Sequence, residues 1–180
     1  MIRPNIFEFK KLIKIGIPIL GSQLSYMLMG TTDTIVAGRA SSLDLAGLGV
    51  GSAIFNTVWF LIAGVIFAVT PIIAQLYGAK KFTEIGIKIR EILWIALLLG
   101  SMVCIVLFFM GNLLFLLPID ESITSISGSY LKALSVGIIF MTIFTALRCY
   151  SEGMTLTRPV FYIAFLGMLL NIPLDIIFVY

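Results

Sequence analysis

The chain has 180 residues, of which 60% are apolar and 12% are charged, with a net charge of +3 and no histidine. A mean hydropathy of +1.13 lies far outside the range of soluble domains and predicts a polytopic membrane protein. Its basic residues lie between apolar segments and near the N-terminus rather than along one face, which argues against nucleic-acid binding.

Five apolar segments are long enough to cross a bilayer as helices, which predicts an all-α fold of five transmembrane helices. The first segment contains Pro18 and carries Asp33 near its end, and the last contains Asn171, Pro173 and Asp175. The final segment has no polar tail, so we expect the chain to be incomplete. The predicted spans are residues 12–38, 49–77, 92–117, 126–147 and 159–180.

The residues that connect the spans also predict local structure. Gly47, Gly49 and Gly51 open the second span without forming a nucleotide-binding motif, so we expect them to allow close helix packing. The basic stretch 78–91 predicts an interfacial helix or loop, and Arg148 is expected at the end of a span.

The distribution of lysine and arginine predicts the orientation. The N-terminal stretch through Lys14 holds four of the twelve, the link 78–91 holds four and the link 148–158 holds two. The positive-inside rule then predicts a cytoplasmic N-terminus, with spans one, three and five running outward. The predicted location is the plasma (inner) membrane, crossed several times.

Asp33 and Asp175 are the most informative residues, because a carboxylate inside a membrane span is costly and usually functional. With a rise of about 1.5 Å per residue, Asp33 lies about 28 Å above Lys14, and Asp175 about 25 Å above Arg158. The two carboxylates are therefore expected at similar depth on parallel helices. Asn171 shares a helix face with Asp175, four residues later.

These groups predict a site for a hard cation or a proton. Pro173 has no backbone N–H, so the Leu169 carbonyl should lack its helical partner, and carboxylate, amide and carbonyl oxygens are ligands for hard cations. Two neighbouring carboxylates also favour retention of a proton. The residues leave sodium and proton as alternatives. Pro18 is a candidate hinge in the first helix, although prolines also shape membrane helices without moving.

Five motifs together resemble the multidrug and toxic compound extrusion (MATE) family of cation-coupled antiporters. They follow the family's order and extend over nearly the whole chain. The motifs are GIPIL at 16–20, DTIVAGR at 33–39, PIIAQLYGA at 71–79, EGMTLTRP at 152–159 and NIPLDIIFVY at 171–180.

The resemblance implies a transporter of two six-helix lobes, of which this chain would supply helices one to five of the N-terminal lobe. The family's coupling site, a Na⁺ or H⁺ site, maps onto Asp33, Asn171 and Asp175, and its bending proline onto Pro18. Tyr26, assigned a supporting role, stands where some relatives have glutamine. The implied partners are the lipid bilayer, small organic cations and a C-terminal lobe, with no cofactor besides the coupling ion.

Three alternatives compete with a non-enzymatic antiporter. An intramembrane aspartyl protease also needs two aspartates, but the chain has GTTD at 30–33 instead of GxGD, and Leu174 instead of tyrosine before Asp175. A lipid-linked oligosaccharide flippase of the same superfamily would need arginines in its cavity. A membrane scaffold would leave both aspartates unexplained.

Overall fold

A computed structural model describes residues 6–116, 118 and 120–179, in which the secondary structure is helical. A single 3₁₀ turn, Leu114–Leu116, follows α4. The α-helices are α1 (Ile6–Ala40), α2 (Ser42–Phe67), α3 (Val69–Gly78), α4 (Phe82–Leu113), α5 (Glu121–Gly153) and α6 (Thr157–Val179).

Within the described residues, five helical segments have the length and hydropathy of membrane spans, which confirms the predicted all-α polytopic class. The second segment consists of α2 and α3 together. Leu117 and Tyr180, the predicted ends of the third and fifth spans, lie outside the described residues. The segments are Leu12–Ala40, Ser42–Gly78, Phe82–Leu116, Glu121–Gly153 and Thr157–Ile177.

The basic stretch that follows α3 is mostly part of α4, and this corrects the expectation of a separate interfacial element over 78–91. Only a short turn, with Lys80 in the left-handed region (φ 59°), separates α3 from α4. Lysine and glutamate three residues apart then form ion pairs on one helix surface, Lys81 with Glu84 and Lys88 with Glu91. Charged residues spaced in this way support the helix beyond its apolar part.

Side-chain caps fix where two of the helices begin. Ser41 Oγ accepts a hydrogen bond from the Asp44 N–H (2.9 Å) and donates one to the Asp44 carboxylate (2.7 Å) at the start of α2. Asp120 accepts from the Ser122 N–H (2.8 Å) at the start of α5, and this bond lowers the pKa of the Asp120 carboxyl. Each cap satisfies a backbone donor that has no partner within its helix.

Helix α5 lies at the centre of the bundle formed with α2, α3 and α4. Gly111 of α4 and Gly128 of α5 allow a close approach of the two backbones, because a Cβ on Gly128 would lie 2.9 Å from the Gly111 carbonyl oxygen. As expected, Gly47 and Gly51 of α2 also pack closely on α5, whereas Gly49 faces open space. The buried apolar residues around α5 form two clusters, one with Ile73 and Ala146 and one with Leu107 and Leu131.

Helices α1 and α6 form a pair beside this bundle. Each packs mainly on the other, with α1 also contacting α2 and α6 making few contacts with α5. The Phe161 ring lies so close to Gly21 that a Cβ there would approach it to 2.6 Å. Pro18 and Pro173 are both inside helices that continue through them. The polar residues predicted to share a site are on these two helices.

Candidate functional site

Asn171 joins the two membrane aspartates. Its Nδ2 donates one hydrogen bond to Asp33 Oδ1 across the α1–α6 interface (3.2 Å) and one to Asp175 Oδ1 on the next turn of α6 (3.1 Å). A side-chain amide has two N–H groups, so each serves one carboxylate. We refer to Asp33, Asn171 and Asp175 as the carboxylate cluster.

Two oxygen atoms of this cluster keep unused acceptor capacity. Asn171 Oδ1 and Asp175 Oδ2 are buried and have no hydrogen-bond partner among the described residues. A buried acceptor left without a partner costs about 1–3 kcal/mol. Both oxygens are therefore suited to a hard cation or a bound proton, which would satisfy them.

The geometry follows from helix periodicity. Asn171 and Asp175 are one helical turn apart on α6, so their side chains project from the same face. Pro173 lies between them in sequence and therefore on a different side of the helix.

Pro18 lies below the carboxylate cluster, fifteen residues or about 22 Å before Asp33 along α1. Ser22 Oγ donates to the Pro18 carbonyl (3.0 Å) and to the Ile19 carbonyl (2.9 Å). The serine side chain thus supports the backbone next to the proline. Pro18 does not join the carboxylate cluster, and any effect it has there acts through the helix.

Tyr26 also lies away from the carboxylate cluster, about 10 Å before Asp33 along α1. Its ring lies under the Arg148 guanidinium, 5.2 Å from Cζ to the ring centroid. Arg148 Nε also binds Glu152 Oε1 at 2.7 Å, in an ion pair whose side chains are only 15% and 14% exposed. Tyr26, Arg148 and Glu152 form a second polar group, which we call the Arg148 cluster.

The Arg148 cluster was not predicted from the sequence. Arg148 was expected at the end of a span, but it lies within α5, more than a turn before that helix ends at Gly153. The spacing of Arg148 and Glu152, four residues apart, was the signal that could have indicated their pairing. The contact with Tyr26 depends on how α1 and α5 are rotated, which no local spacing reveals.

The atoms of the carboxylate cluster that could coordinate an ion are all oxygens. Among the described residues, no group of three or more His, Cys, Asp or Glu side chains converges. Two carboxylates and an amide oxygen match the preferences of hard ions such as Na⁺, rather than those of transition metals that bind nitrogen or sulfur. The same two carboxylates could instead retain a proton between them.

Fold and polar residues together define a polytopic α-helical membrane protein with an intramembrane carboxylate site. The MatE family model matches residues 18–177, and the chain belongs to this family. This confirms the resemblance inferred from the motifs.

Several curated proteins are similar to almost the whole chain. A probable multidrug resistance protein NorM of Acinetobacter baylyi is 36% identical over 97% of the chain. The multidrug resistance protein PmpM of Pseudomonas aeruginosa and NorM of Vibrio cholerae are each 34% identical over 96% of it. The chain spans between 36% and 39% of the length of these three relatives.

A solved structure has the same fold. It is a MOP superfamily transporter from Pyrococcus furiosus, described as having a binding pocket of reverse polarity. The TM-score is 0.85 at 21% sequence identity, over 95% of this chain and 38% of that one. The likeness covers nearly the whole chain, and the matched share of that transporter again corresponds to one part of it.

Proposed function

We propose that the chain supplies the N-terminal, cation-coupling lobe of a multidrug efflux antiporter. The observation that carries the proposal is the Asn171 amide, which holds Asp33 and Asp175 together inside the membrane. The relatives named as multidrug resistance proteins support the transport class. A C-terminal lobe would complete the transporter, since alternating access requires two bodies that move against each other.

Coupling would work through the charge of the carboxylate cluster. With both carboxylates ionised, the cluster attracts an organic cation; binding of Na⁺ or H⁺ cancels part of that charge and weakens the attraction. The ion also satisfies Asn171 Oδ1 and Asp175 Oδ2, and it thereby favours whichever arrangement of α1 and α6 brings these oxygens closest to it. Pro18 is the proposed point at which α1 bends.

The orientation belongs to the same proposal. The excess of lysine and arginine at the N-terminus and in the links 78–91 and 148–158 supports a cytoplasmic N-terminus in the inner membrane. The carboxylate cluster then lies toward the outer side of the bilayer. The orientation can be tested with two variants, Lys10→Cys and Asp120→Cys, each made in a protein from which Cys104 and Cys149 have been removed. Each variant is then treated with a membrane-impermeant thiol reagent. Intact cells should label position 120 and not position 10.

The structure offers less support for the alternatives. A flippase for phosphorylated lipids needs free cationic side chains beside its substrate, whereas Arg148 is engaged by Glu152 and the carboxylate cluster is acidic. In an aspartyl protease the two carboxylates activate a water molecule, whereas here one oxygen of each accepts from Asn171. A scaffold would not explain buried acceptors that lack partners.

The test compares Asp33→Asn and Asp175→Asn with Asp120→Asn in the full-length transporter, in which both lobes are present. Asparagine preserves the shape of the side chain, and at position 120 it also preserves the helix cap. Efflux of a fluorescent organic cation, driven by an imposed Na⁺ or proton gradient, should fall more than about tenfold for the first two variants. This follows because each loses charge-assisted bonds worth about 1.5–3 kcal/mol.

The control Asp120→Asn should transport normally, and all three variants should be present in the membrane in equal amounts. Efflux that survives both cluster substitutions would overturn the proposal. Running the assay with each gradient alone identifies the coupling ion, because only the coupling gradient should sustain transport in the wild type.

A further inference from the structure

A cavity at the opposite end of the α1–α6 pair has the features of a phosphate-binding site. It has a volume of about 670 Å³ and lies between the first part of α1 and the start of α6. Lys14 comes from one helix and Arg158 from the other, and none of the described residues that line the cavity is acidic. The lining residues are Lys14, Ile15, Thr155, Leu156, Thr157, Arg158 and Pro159.

Thr157 adds a hydroxyl to the wall of the cavity. The residue is only 3% exposed and lines the cavity. Buried hydroxyls elsewhere in the protein, such as those of Ser127 and Thr142, bond to a carbonyl one turn earlier. Thr157 begins α6 and has no earlier turn of its own helix, and a hydroxyl at this position can donate to a phosphate oxygen.

The local backbone adds donors of the same kind. The first turn of a helix presents N–H groups that have no partner within the helix, and these favour anions. The nearest acidic side chain described on the preceding helix, Glu152, is already engaged by Arg148. The cavity therefore combines two cationic side chains, a hydroxyl and a helix start, and the described residues of its lining include no carboxylate.

The depth of the cavity indicates which phosphate compound fits. The apolar spans begin at Leu12 and Thr157, so Lys14 and Arg158 lie at the boundary between water and hydrocarbon. Ile15, Leu156 and Pro159 add an apolar side to the same cavity. Basic pockets between membrane helices at this level bind the headgroups of anionic lipids.

We propose that the cavity between Lys14 and Arg158 binds the phosphate of an anionic phospholipid, whose acyl chains lie along α1 and α6. The phosphate accepts hydrogen bonds from both cationic side chains and from Thr157. A lipid held there fastens the lower ends of α1 and α6, about 28 Å from Asp33 along α1.

Native mass spectrometry of the purified protein, exchanged into mixed micelles of phosphatidylglycerol and phosphatidylcholine, tests the proposal. The wild type should retain phosphatidylglycerol in preference to phosphatidylcholine. Lys14→Gln combined with Arg158→Gln should reduce this preference about tenfold or more, because each cation near the membrane surface contributes substantially to anionic lipid binding.

The matched control is Lys88→Gln combined with Arg90→Gln, which removes the same charge from the start of α4, outside the cavity. It should retain the preference, and an equal loss in the control would overturn the proposal. Addition of inorganic phosphate distinguishes a site for a phospholipid headgroup from a site for free phosphate. Phosphate that displaces the lipid at millimolar concentration would overturn the assignment to a phospholipid.

Two further variants keep the test decisive if the double glutamine variant fails to fold. The exchange Lys14→Arg with Arg158→Lys preserves the charge and should preserve lipid retention. Thr157→Val preserves the shape of the side chain and should weaken retention a few-fold, since it removes one hydrogen bond. Unchanged retention in Thr157→Val, together with a normal gel-filtration profile, would contradict the role assigned to this hydroxyl.

Discussion

Helices α4 and α5 meet through glycines and apolar side chains, whereas α1 and α6 meet at two carboxylates and an amide. In the first interface Gly111 and Gly128 bring the backbones together. In the second, Asn171 connects Asp33 and Asp175 while two buried oxygens remain without partners. The first interface is complete as it stands, and the second has capacity left for a ligand.

The buried hydroxyls show the same contrast. Those of α5 are satisfied within or next to their own helix; Ser127 Oγ, for example, donates to the Ile123 carbonyl and lies equally close, at 2.8 Å, to the Gly47 carbonyl. Groups satisfied in this way gain nothing from a change of partner. The acceptors of the carboxylate cluster gain a partner when an ion binds. A change in ion occupancy should therefore shift α1 and α6 rather than α4 and α5.

The largest effect is expected where two glycines bring the backbones of α4 and α5 together. Gly128→Val places side-chain atoms against the Gly111 carbonyl oxygen and should destabilise the protein by about 2–3 kcal/mol. Gly137→Val, on the same helix but facing open space, is the matched control and should cost far less. Thermal unfolding in detergent measures both, and equal midpoints would show that the close approach contributes little.

A somewhat smaller effect is expected at the amide of the carboxylate cluster. Asn171→Leu removes both N–H donors and leaves the carboxylates to repel each other, at a cost of about 2 kcal/mol. Thermal stability should also cease to respond to Na⁺ or to pH. Asn56→Leu, at an exposed position of α2, is the control that should keep the wild-type response. An ion response that persists without Asn171 would separate this residue from the ion site.

Arg148→Gln should have an intermediate effect of about 1 kcal/mol. It leaves Glu152 without its partner and removes the cation from the Tyr26 ring. The side chains retain some exposure, so the cost stays below that of breaking a fully buried pair. Arg148→Lys keeps the charge and should recover part of the stability in the same unfolding assay. If it recovers none, the planar guanidinium rather than its charge is what matters.

The smallest effect is expected for the ion pairs at the start of α4. Lys88→Gln breaks a pair with Glu91 whose side chains are about half exposed, 48% and 51%. Such pairs contribute less than about 0.5 kcal/mol on a helix surface. The unfolding midpoint should therefore stay within experimental error of the wild type. A large drop would mean that this end of α4 is held by contacts other than those seen here.

The sequence predicted the proximity of Asp33, Asn171 and Asp175 because only two quantities were needed. The rise of a helix gives depth, and the alternation of spans gives direction; both are fixed by backbone geometry and by the membrane. The rotation of each helix about its axis is set instead by packing across the whole bundle. For this reason the contact of Tyr26 with Arg148 could not be predicted from the sequence.

Helix length was the other quantity that the sequence left open. Hydropathy identifies only the part of a helix that lies within the bilayer. In the third span this apolar run begins near Ile92. The helix begins ten residues earlier, at Phe82, because lysine and glutamate are good helix formers outside the bilayer as well. The stretch 78–91 was expected to be an interfacial helix or loop, whereas from Phe82 onward it is the first part of the same helix as the third span.

The hydrogen bond from Asn171 to Asp33 also bears on how the protein is assembled. It joins residues 138 positions apart, whereas Gly111 and Gly128 belong to consecutive helices and meet across one short connection. Contacts between distant parts of a chain form late, since a long loop must close first. The carboxylate cluster should therefore form only after the four-helix bundle of α2 to α5 has formed. A chain whose membrane insertion stops before α6 would then have no complete ion site.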